Sequence, residues 1–274
     1  MHILCVGGGS LGPVTPLLAT VRALQKQDRS IRVSWIGTPN GPERGLVEEA
    51  GLSFYPLAVA KWPRYPSSAW LRLPWDVWKA RQEARRLIEK LKPQAVVSVG
   101  GFTATPIIRL ASRQGILCFI HQLDYEPGLS NRLVAKQCVS VTTSFEYLKR
   151  PFGEKVFDRP IATPVRFSIK DLPTRNEAAR AFGLDPKKPI IFVHGGGQGA
   201  RDINLWLERR RDDLLKFTQI IHLTGLGKEG DIKTVVPGYV QAPLFQEEDM
   251  LRAHAAADIE IGRGGIGTLS EKIG

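Results

Sequence analysis

Glycine placement constrains this chain more than any other feature. Gly7-Gly8-Gly9-Ser10-Leu11-Gly12 follows the apolar run 3–6, and Gly195-Gly196-Gly197-Gln198-Gly199 follows the run 189–194. Each turn joins a short β-like run to a helix-like stretch. Such a turn lets backbone N–H groups approach a phosphate, and the positive end of the helix favours the negative charge. Two of them, opening at residues 7 and 195, predict two α/β domains that face a shared cleft and handle a phosphorylated donor. At 274 residues the chain has length for two such domains.

Between the turns, β-like and helix-like stretches alternate. Strands are expected at 3–6, 31–36, 52–56, 95–99, 116–120 and 139–142. Helices are expected at 16–25, 44–50, 75–91, 106–113 and 131–137. Alternation of this kind argues for a parallel sheet covered on both faces. The proline-rich segment 159–173, without a clear period, is the candidate linker. The pattern then restarts, with helices at 175–182, 202–217 and 247–257 and strands at 189–193, 219–223 and 259–261. A third glycine turn, Gly262-Arg263-Gly264-Gly265-Ile266-Gly267, opens a last helix. The fold class is therefore α/β, with two Rossmann-like domains, residues 1–160 and 161–274. About 100 residues follow the linker, against ~150 for a domain of this kind, so the second domain is expected to be incomplete.

Lys and Arg number 38 against 27 Asp and Glu, a formal charge of +11. That excess favours anionic partners. No recognised nucleic-acid module accompanies it, so nucleic acid is not expected as a partner. Cys5, Cys118 and Cys138 lie in or beside apolar runs without a CxxC spacing. They read as buried free thiols in a reducing compartment, with no metal site. No signal peptide and no run of ~18 apolar residues is evident.

Polar residues stand where such a sheet binds ligands, at the C-terminal ends of its strands. His121-Gln122-Leu123-Asp124 ends one apolar run. His121 reads equally as a catalytic group or as a structural histidine, whereas His194 and His222 read as structural. After the third turn, backbone N–H groups at 266–269 can receive a diphosphate, and Glu271 can accept two ribose hydroxyls. Glu271 equally reads as a carboxylate favouring the positive end of its own helix.

Six ordered stretches carry a more specific signal. They are Gly8-Gly9-Ser10-Leu11-Gly12; Gly100-Gly101-Phe102-Thr103-Ala104-Thr105-Pro106; His121-Gln122-Leu123-Asp124 with Pro127-Gly128-Leu129-Ser130-Asn131-Arg132; Pro164-Val165-Arg166; Gly195-Gly196-Gly197-Gln198-Gly199-Ala200 with Asn204; and Ala257-Asp258 with 263–271. In this order they resemble the MurG family, the bacterial N-acetylglucosaminyltransferases of peptidoglycan synthesis, over the whole chain.

The resemblance implies the two-domain GT-B glycosyltransferase architecture. It also implies inverting, metal-independent transfer of N-acetylglucosamine from UDP-N-acetylglucosamine to an undecaprenyl-diphosphate-linked muramyl-pentapeptide, with no cofactor. Its donor contacts map to Ser10, Leu11, Gly12, Asp124, Arg166, Gly197, Gln198, Asn204, Ile266, Gly267, Thr268, Leu269, Ser270 and Glu271. Its acceptor contacts map to Ser10, Gly12, Gly100, Gly101, Phe102 and Asn131. The family places a histidine where this chain has Pro13, which has no titratable group, so His121 and Asp124 become the candidate catalytic residues. Gln122 stands where the family has glutamate, Asp124 where it has asparagine, and Gly197 where it has serine. The family's glutamine-containing sugar-contact segment would fall beyond Gly274. These departures keep a second reading open, a non-catalytic nucleotide-sugar or lipid-diphosphate binder.

The stretch 61–92 holds four of the six tryptophans and carries nine basic against three acidic residues. Trp62, Trp70, Leu71, Leu73, Trp75 and Trp78 are its candidate contacts with an anionic membrane surface. The resemblance supports this, because the family carries a hydrophobic patch ringed by basic residues in the same region. The expected location is peripheral, at the cytoplasmic face of the cell membrane. The alternative is that the tryptophans pack into the core and the charges form a solvated helix face.

Overall fold

A computed structural model of the chain describes residues 1–59, 69–147, 151–153, 156, 158–166, 169–196, 199–228 and 236–273, with 69–72, 169 and 271–273 described as backbone only. The chain divides into two units, Met1–Pro164 and Val165–Gly274.

In the first unit, β1 (His2–Val6), α1 (Val14–Gln27), β2 (Arg32–Gly37), α2 (Glu43–Glu49) and β3 (Ser53–Pro56) alternate. They are followed by α3 (Ala69–Leu91), β4 (Ala95–Ser98), α4 (Ala104–Arg113), β5 (Leu117–Gln122), α5 (Leu129–Val134), β6 (Ser140–Thr143) and β7 (Asp158–Pro160). The seven strands form one parallel sheet in the order β3-β2-β1-β4-β5-β6-β7. The chain starts in the middle, winds outward through β2 and β3, then returns to β4 on the other side of β1. The switch point therefore lies between β1 and β4, where an open α/β sheet leaves a crevice beyond its strand ends. The parallel strands are apolar on both faces because helices cover both. Leu4, Val6, Ile36, Val96, Ile120 and Val141 pack with Ala84, Ile88, Ile107, Ile108 and Ala111.

The second unit holds α6 (Arg175–Ala181), β8 (Ile190–His194), α7 (Arg201–Leu214), β9 (Gln219–Leu223), β10 (Tyr239–Ala242), α8 (Glu247–Ala256), β11 (Ile259–Gly262) and α9 (Ile266–Ile273). Its four strands are also parallel, in the order β10-β9-β8-β11. Period-2 alternation splits its core. Ile190, Phe192, Ile221 and Leu223 pack with Ala178, Ala179, Met250 and Ala253, whereas Ile191, Val193 and Ile220 pack with Leu207. Burying Phe192 alone contributes roughly 1.5–3 kcal/mol. Thr174 and Glu177 cap α6 reciprocally, each side chain bonded to the other's backbone N–H. This unit switches between β8 and β11.

Three elements differ from the sequence reading. Helix α3 starts at Ala69 and runs through Pro74, although proline removes a helical N–H. Strand β7 occupies the start of the segment read as linker. Pro160 is tolerated there because an edge strand needs no donor on its outer side. Strand β10, between Pro237-Gly238 and Pro243, had no helical or strand period of its own and exists by pairing with β9.

The cysteines are free. Cys5 and Cys118 are buried and Cys138 is partly so. Burial raises the Cys5 thiol far above its ordinary value, that of Cys118 to about 11 and that of Cys138 to about 12.

Candidate functional site

At the first switch point the structure brings together the turns after β1 and β4. The Ser98 hydroxyl donates to Val6 O (2.7 Å) and accepts from Gly100 N (3.0 Å), tying the two strand ends. Gly100 and Gly101 take φ of +104° and +94°, a region that favours glycine. The Phe102 ring lies against Gly9, where a Cβ would come within 3.0 Å of it. Around Gly12 a Cβ would meet nothing within 4 Å, so this side of the turn is open. The turns that carry Ser10 and Gly12 on one side and Gly100, Gly101 and Phe102 on the other thus meet at the ends of β1 and β4, Gly8 and Gly9 against Gly101 and Phe102.

Two of the expected contacts are interior side chains. Leu11 is 7% exposed and belongs to the core, while its carbonyl accepts from Val14 N and Thr15 N to start α1. Asn131 is 3% exposed. It donates to Gln122 Oε1 (2.7 Å) and lies beside Gly100, so it shapes the second turn from behind. Asn131 Oδ1 and Thr103 Oγ1 are buried without a hydrogen-bond partner. Unsatisfied polar atoms at a strand-end crevice call for an explanation, and a bound ligand is one.

The two candidate catalytic residues have opposite environments. His121 is buried, with Nδ1 2.9 Å from Thr142 Oγ1 and Nε2 3.1 Å from Ser144 Oγ, which in turn lies 2.7 Å from Thr163 Oγ1. Desolvation lowers its pKa to about 4. With burial and both ring nitrogens engaged, His121 has the surroundings of a structural histidine, one of the two readings its sequence allowed. Asp124 is exposed on the loop after β5. Its carbonyl accepts from Gln122 Nε2 (2.8 Å) and Tyr147 OH (3.1 Å), so the loop is held while the carboxyl faces solvent. Pro13 precedes α1 at its cap position.

In the second unit the turn after β8 closes tightly. A Cβ on Gly195 would lie 2.0 Å from Ala200 N, and one on Gly199 2.0 Å from Thr224 O. Gly197 and Gln198 lie outside the described residues. Asn204, in the first turn of α7, donates to Thr224 O (2.9 Å) and places Oδ1 3.2 Å from His222 Nε2. Tyr239 OH meets His222 Nδ1 at 2.7 Å. Burial lowers the His222 pKa to about 4, and both its ring nitrogens are engaged. His194 ends β8 with Nε2 3.7 Å from Glu260 Oε2, and His254 Nδ1 meets Glu260 Oε1 at 2.8 Å.

The turn after β11 is the open one. Cβ atoms on Gly264 and Gly265 would meet nothing within 4 Å, and α9 starts directly after them. The leading N–H groups of α9, at Ile266, Gly267 and Thr268, precede the first intrahelical donor pattern and form an anion-favouring helix start. Leu269 is exposed, and Ser270 is half-buried. Glu271 lies in α9, but its side chain falls outside the described residues. Arg166 is half-buried near the start of the unit. Asp258 sits at the other end of the sheet, bridging Arg175 (2.7 Å) and Ile190 N (2.8 Å). It is structural, and the Arg175 hydrogen bond is the main cause of its lowered pKa.

Of the candidate membrane residues, Trp75 and Trp78 are 58% and 51% exposed and stack at 5.0 Å, with Lys79 Nζ 5.4 Å from the Trp75 ring. Leu73 is buried and is corrected to a core residue: it falls on the face of α3 opposite to solvent. Trp70 and Leu71 are described as backbone only, and Trp62 lies outside the described residues. Trp78, Arg81, Arg85 and Arg113 line a surface cavity of about 390 Å³. Among the described residues no helix is long and apolar enough to cross a membrane, and no three His, Cys, Asp or Glu side chains gather as metal ligands.

Two parallel sheets with glycine turns at their switch points define a nucleotide-handling α/β protein. Residues 3–143 match the glycosyltransferase family 28 N-terminal domain and residues 190–273 the glycosyltransferase family 28 C-terminal domain. Two relatives are UDP-N-acetylglucosamine--N-acetylmuramyl-(pentapeptide) pyrophosphoryl-undecaprenol N-acetylglucosamine transferases. The one from Bifidobacterium adolescentis is 32% identical and that from Lachnospira eligens 35%, each over 98% of this chain and 75% of the relative. The crystal structure of Acinetobacter baumannii MurG matches with a TM-score of 0.62 at 25% identity, over 98% of this chain and 75% of that one. The chain belongs to glycosyltransferase family 28 and, within it, to the MurG family.

Proposed function

We infer that the protein transfers N-acetylglucosamine from UDP-N-acetylglucosamine to undecaprenyl-diphosphate-linked muramyl-pentapeptide, a step of peptidoglycan synthesis. The observation that carries this reading is the gathering of the matched glycine turns at the strand ends of both parallel sheets, in a chain whose relatives bear that activity in their names.

The C-terminal unit holds the donor. Its diphosphate rests on the N–H groups at Ile266, Gly267 and Thr268, with Leu269, Ser270, Asn204, Arg166, Gly197 and Gln198 around it and Glu271 on the ribose. The N-terminal unit holds the acceptor diphosphate on the open side of Ser10, Gly12, Gly100, Gly101 and Phe102. Asp124 accepts the proton of the acceptor hydroxyl as that oxygen attacks the anomeric carbon and inverts it. The departing UDP carries the electron pair of the broken bond, and backbone N–H groups stabilise its charge.

The exposed Trp75–Trp78 pair beside Lys79, Arg81, Arg85 and Arg113 supports contact with an anionic membrane surface. That contact brings the enzyme to its lipid-linked acceptor at the cytoplasmic face.

Saturable transfer of labelled sugar to the lipid-linked acceptor is the expected result of a direct assay. UDP binding without turnover would instead favour the binder reading, which Pro13 at the start of α1 motivates. Sedimentation with anionic vesicles tests the surface, and replacing Trp75 and Trp78 by alanine is expected to weaken binding about tenfold or more. Equal binding by both proteins would remove these residues from the membrane contact.

A further inference from the structure

Glu43 is fully buried at the first position of α2, although Glu is almost never found there without partners. Its partners are the loops around the first glycine turn. Oε1 accepts from Thr38 N (2.6 Å) and Thr38 Oγ1 (2.5 Å), and Oε2 accepts from Gly9 N (3.2 Å). Three glycines make room for it. A Cβ on Gly8 would lie 2.1 Å from Oε1, one on Gly41 2.0 Å from Oε2, and one on Gly37 3.0 Å from Oε1. The carboxylate therefore fills the inner side of the turn and binds the Gly9 N–H. Gly9 is held at φ +86° against the Phe102 ring.

We propose that Glu43 is a positioning residue for the acceptor: a built-in anion that fixes the first glycine turn, so that its outer side at Ser10–Gly12 and Phe102 is already arranged for the acceptor diphosphate. This rests on the proposed acceptor site. Preorganised N–H groups avoid the ordering cost of binding, and a glycine-rich turn without an internal anchor samples many conformations. The buried carboxylate also explains why Gly8 and Gly41 must be glycine, although neither has a positive φ; at Gly37 the Phe54 ring, 2.6 Å from a Cβ, is the nearer obstacle.

Glu43→Gln is the same size but puts an NH2 group against either Gly9 N–H or Thr38 N–H, donor facing donor. Thr38→Val keeps the β-branch and removes one of the three donors. In steady-state transfer assays, the KM for the lipid-linked acceptor is expected to rise about tenfold in Glu43→Gln and by a smaller factor in Thr38→Val. UDP affinity, read by calorimetry, should stay within about twofold of the parent, because the N–H groups proposed to hold the UDP diphosphate belong to the other unit. Both variants are assayed well below their melting temperatures. An unchanged acceptor KM in Glu43→Gln overturns the proposal even if stability falls, since a merely structural carboxylate would lower the melting temperature alone. Parallel losses in acceptor KM and UDP affinity overturn it too, as a global effect. Transfer by the parent protein tests the acceptor site itself, so the two failures are told apart.

Discussion

The glycine turns of the two units look alike in sequence and are built for different reasons. In the first unit, Gly8 and Gly41 are glycine because a buried carboxylate occupies the space a Cβ would need, and Gly37 because the Phe54 ring does. In the second, Gly195 and Gly199 close the turn after β8 against backbone atoms, whereas a Cβ on Gly264 or Gly265 would meet nothing within 4 Å. A glycine crowded by protein reports packing. A glycine beside open space at a helix start reports room for something else. The sheets differ in the same sense. The seven-stranded sheet has its polar interior groups anchored by side chains such as Ser98, Asn131 and Glu43. The four-stranded sheet offers a bare helix start.

The sharpest division of labour is chemical. If the first unit supplies the base, Asp124→Ala should lower kcat by about 10²–10⁴-fold and leave UDP affinity unchanged. A kcat within a fewfold of the parent would move the base elsewhere. The contrast between crowded and open glycines comes next. Gly199→Ala places a Cβ on Thr224 O at φ +65° and should cost about 3 kcal/mol or more in denaturant melts. Gly264→Ala should change stability by about 0.5 kcal/mol or less yet weaken UDP binding. Equal stability losses at both positions would erase the distinction.

Both units also carry a buried neutral histidine, and these should behave alike. His121 and His222 have folded pKa values of about 4 against 6.5 for a free side chain. Between those values the unfolded chain binds more protons, so stability falls as pH falls from about 6.5 toward 4. The loss is about 3 kcal/mol for each histidine at the acid end of the window. Melting temperatures measured across that range should show a shallower slope in His121→Gln and in His222→Gln. An unaltered slope would mean that neither ring titrates as its burial requires. The smallest effect belongs to the donor carboxylate. Glu271→Ala should weaken UDP about tenfold, roughly 1.4 kcal/mol, with acceptor KM unchanged. Full affinity would return Glu271 to the role of a helix-start carboxylate.

Much of the fold was legible because parallel strands buried on both faces are written as short apolar runs, and glycine turns punctuate them. Edge elements were not. Tyr239–Ala242 and Asp158–Pro160 carry half-exposed, mixed sequences, and only a neighbouring strand makes them strands. Pro74 marked a helix boundary by its chemistry, and α3 runs through it because the fold tolerates one missing bond.

At the site, the sequence determined that every strand-end turn lies at the same end of its parallel sheet, and the resemblance singled out Ser10, Gly12, Gly100, Gly101 and Phe102; the fold decided that β1 and β4 are neighbours, which brings their two turns together. The sequence could not say which side chains face outward, because that depends on contacts between segments distant in the chain. Tertiary structure alone turned His121 onto Thr142 and Ser144, sank Asn131 behind Gly100, and left Asp124 exposed. Glu43 escaped the sequence reading altogether. An acidic residue at a helix start is an ordinary surface feature until the turns after β1 and β2 close around it, and only then do Gly9 and Thr38 replace the water it gives up.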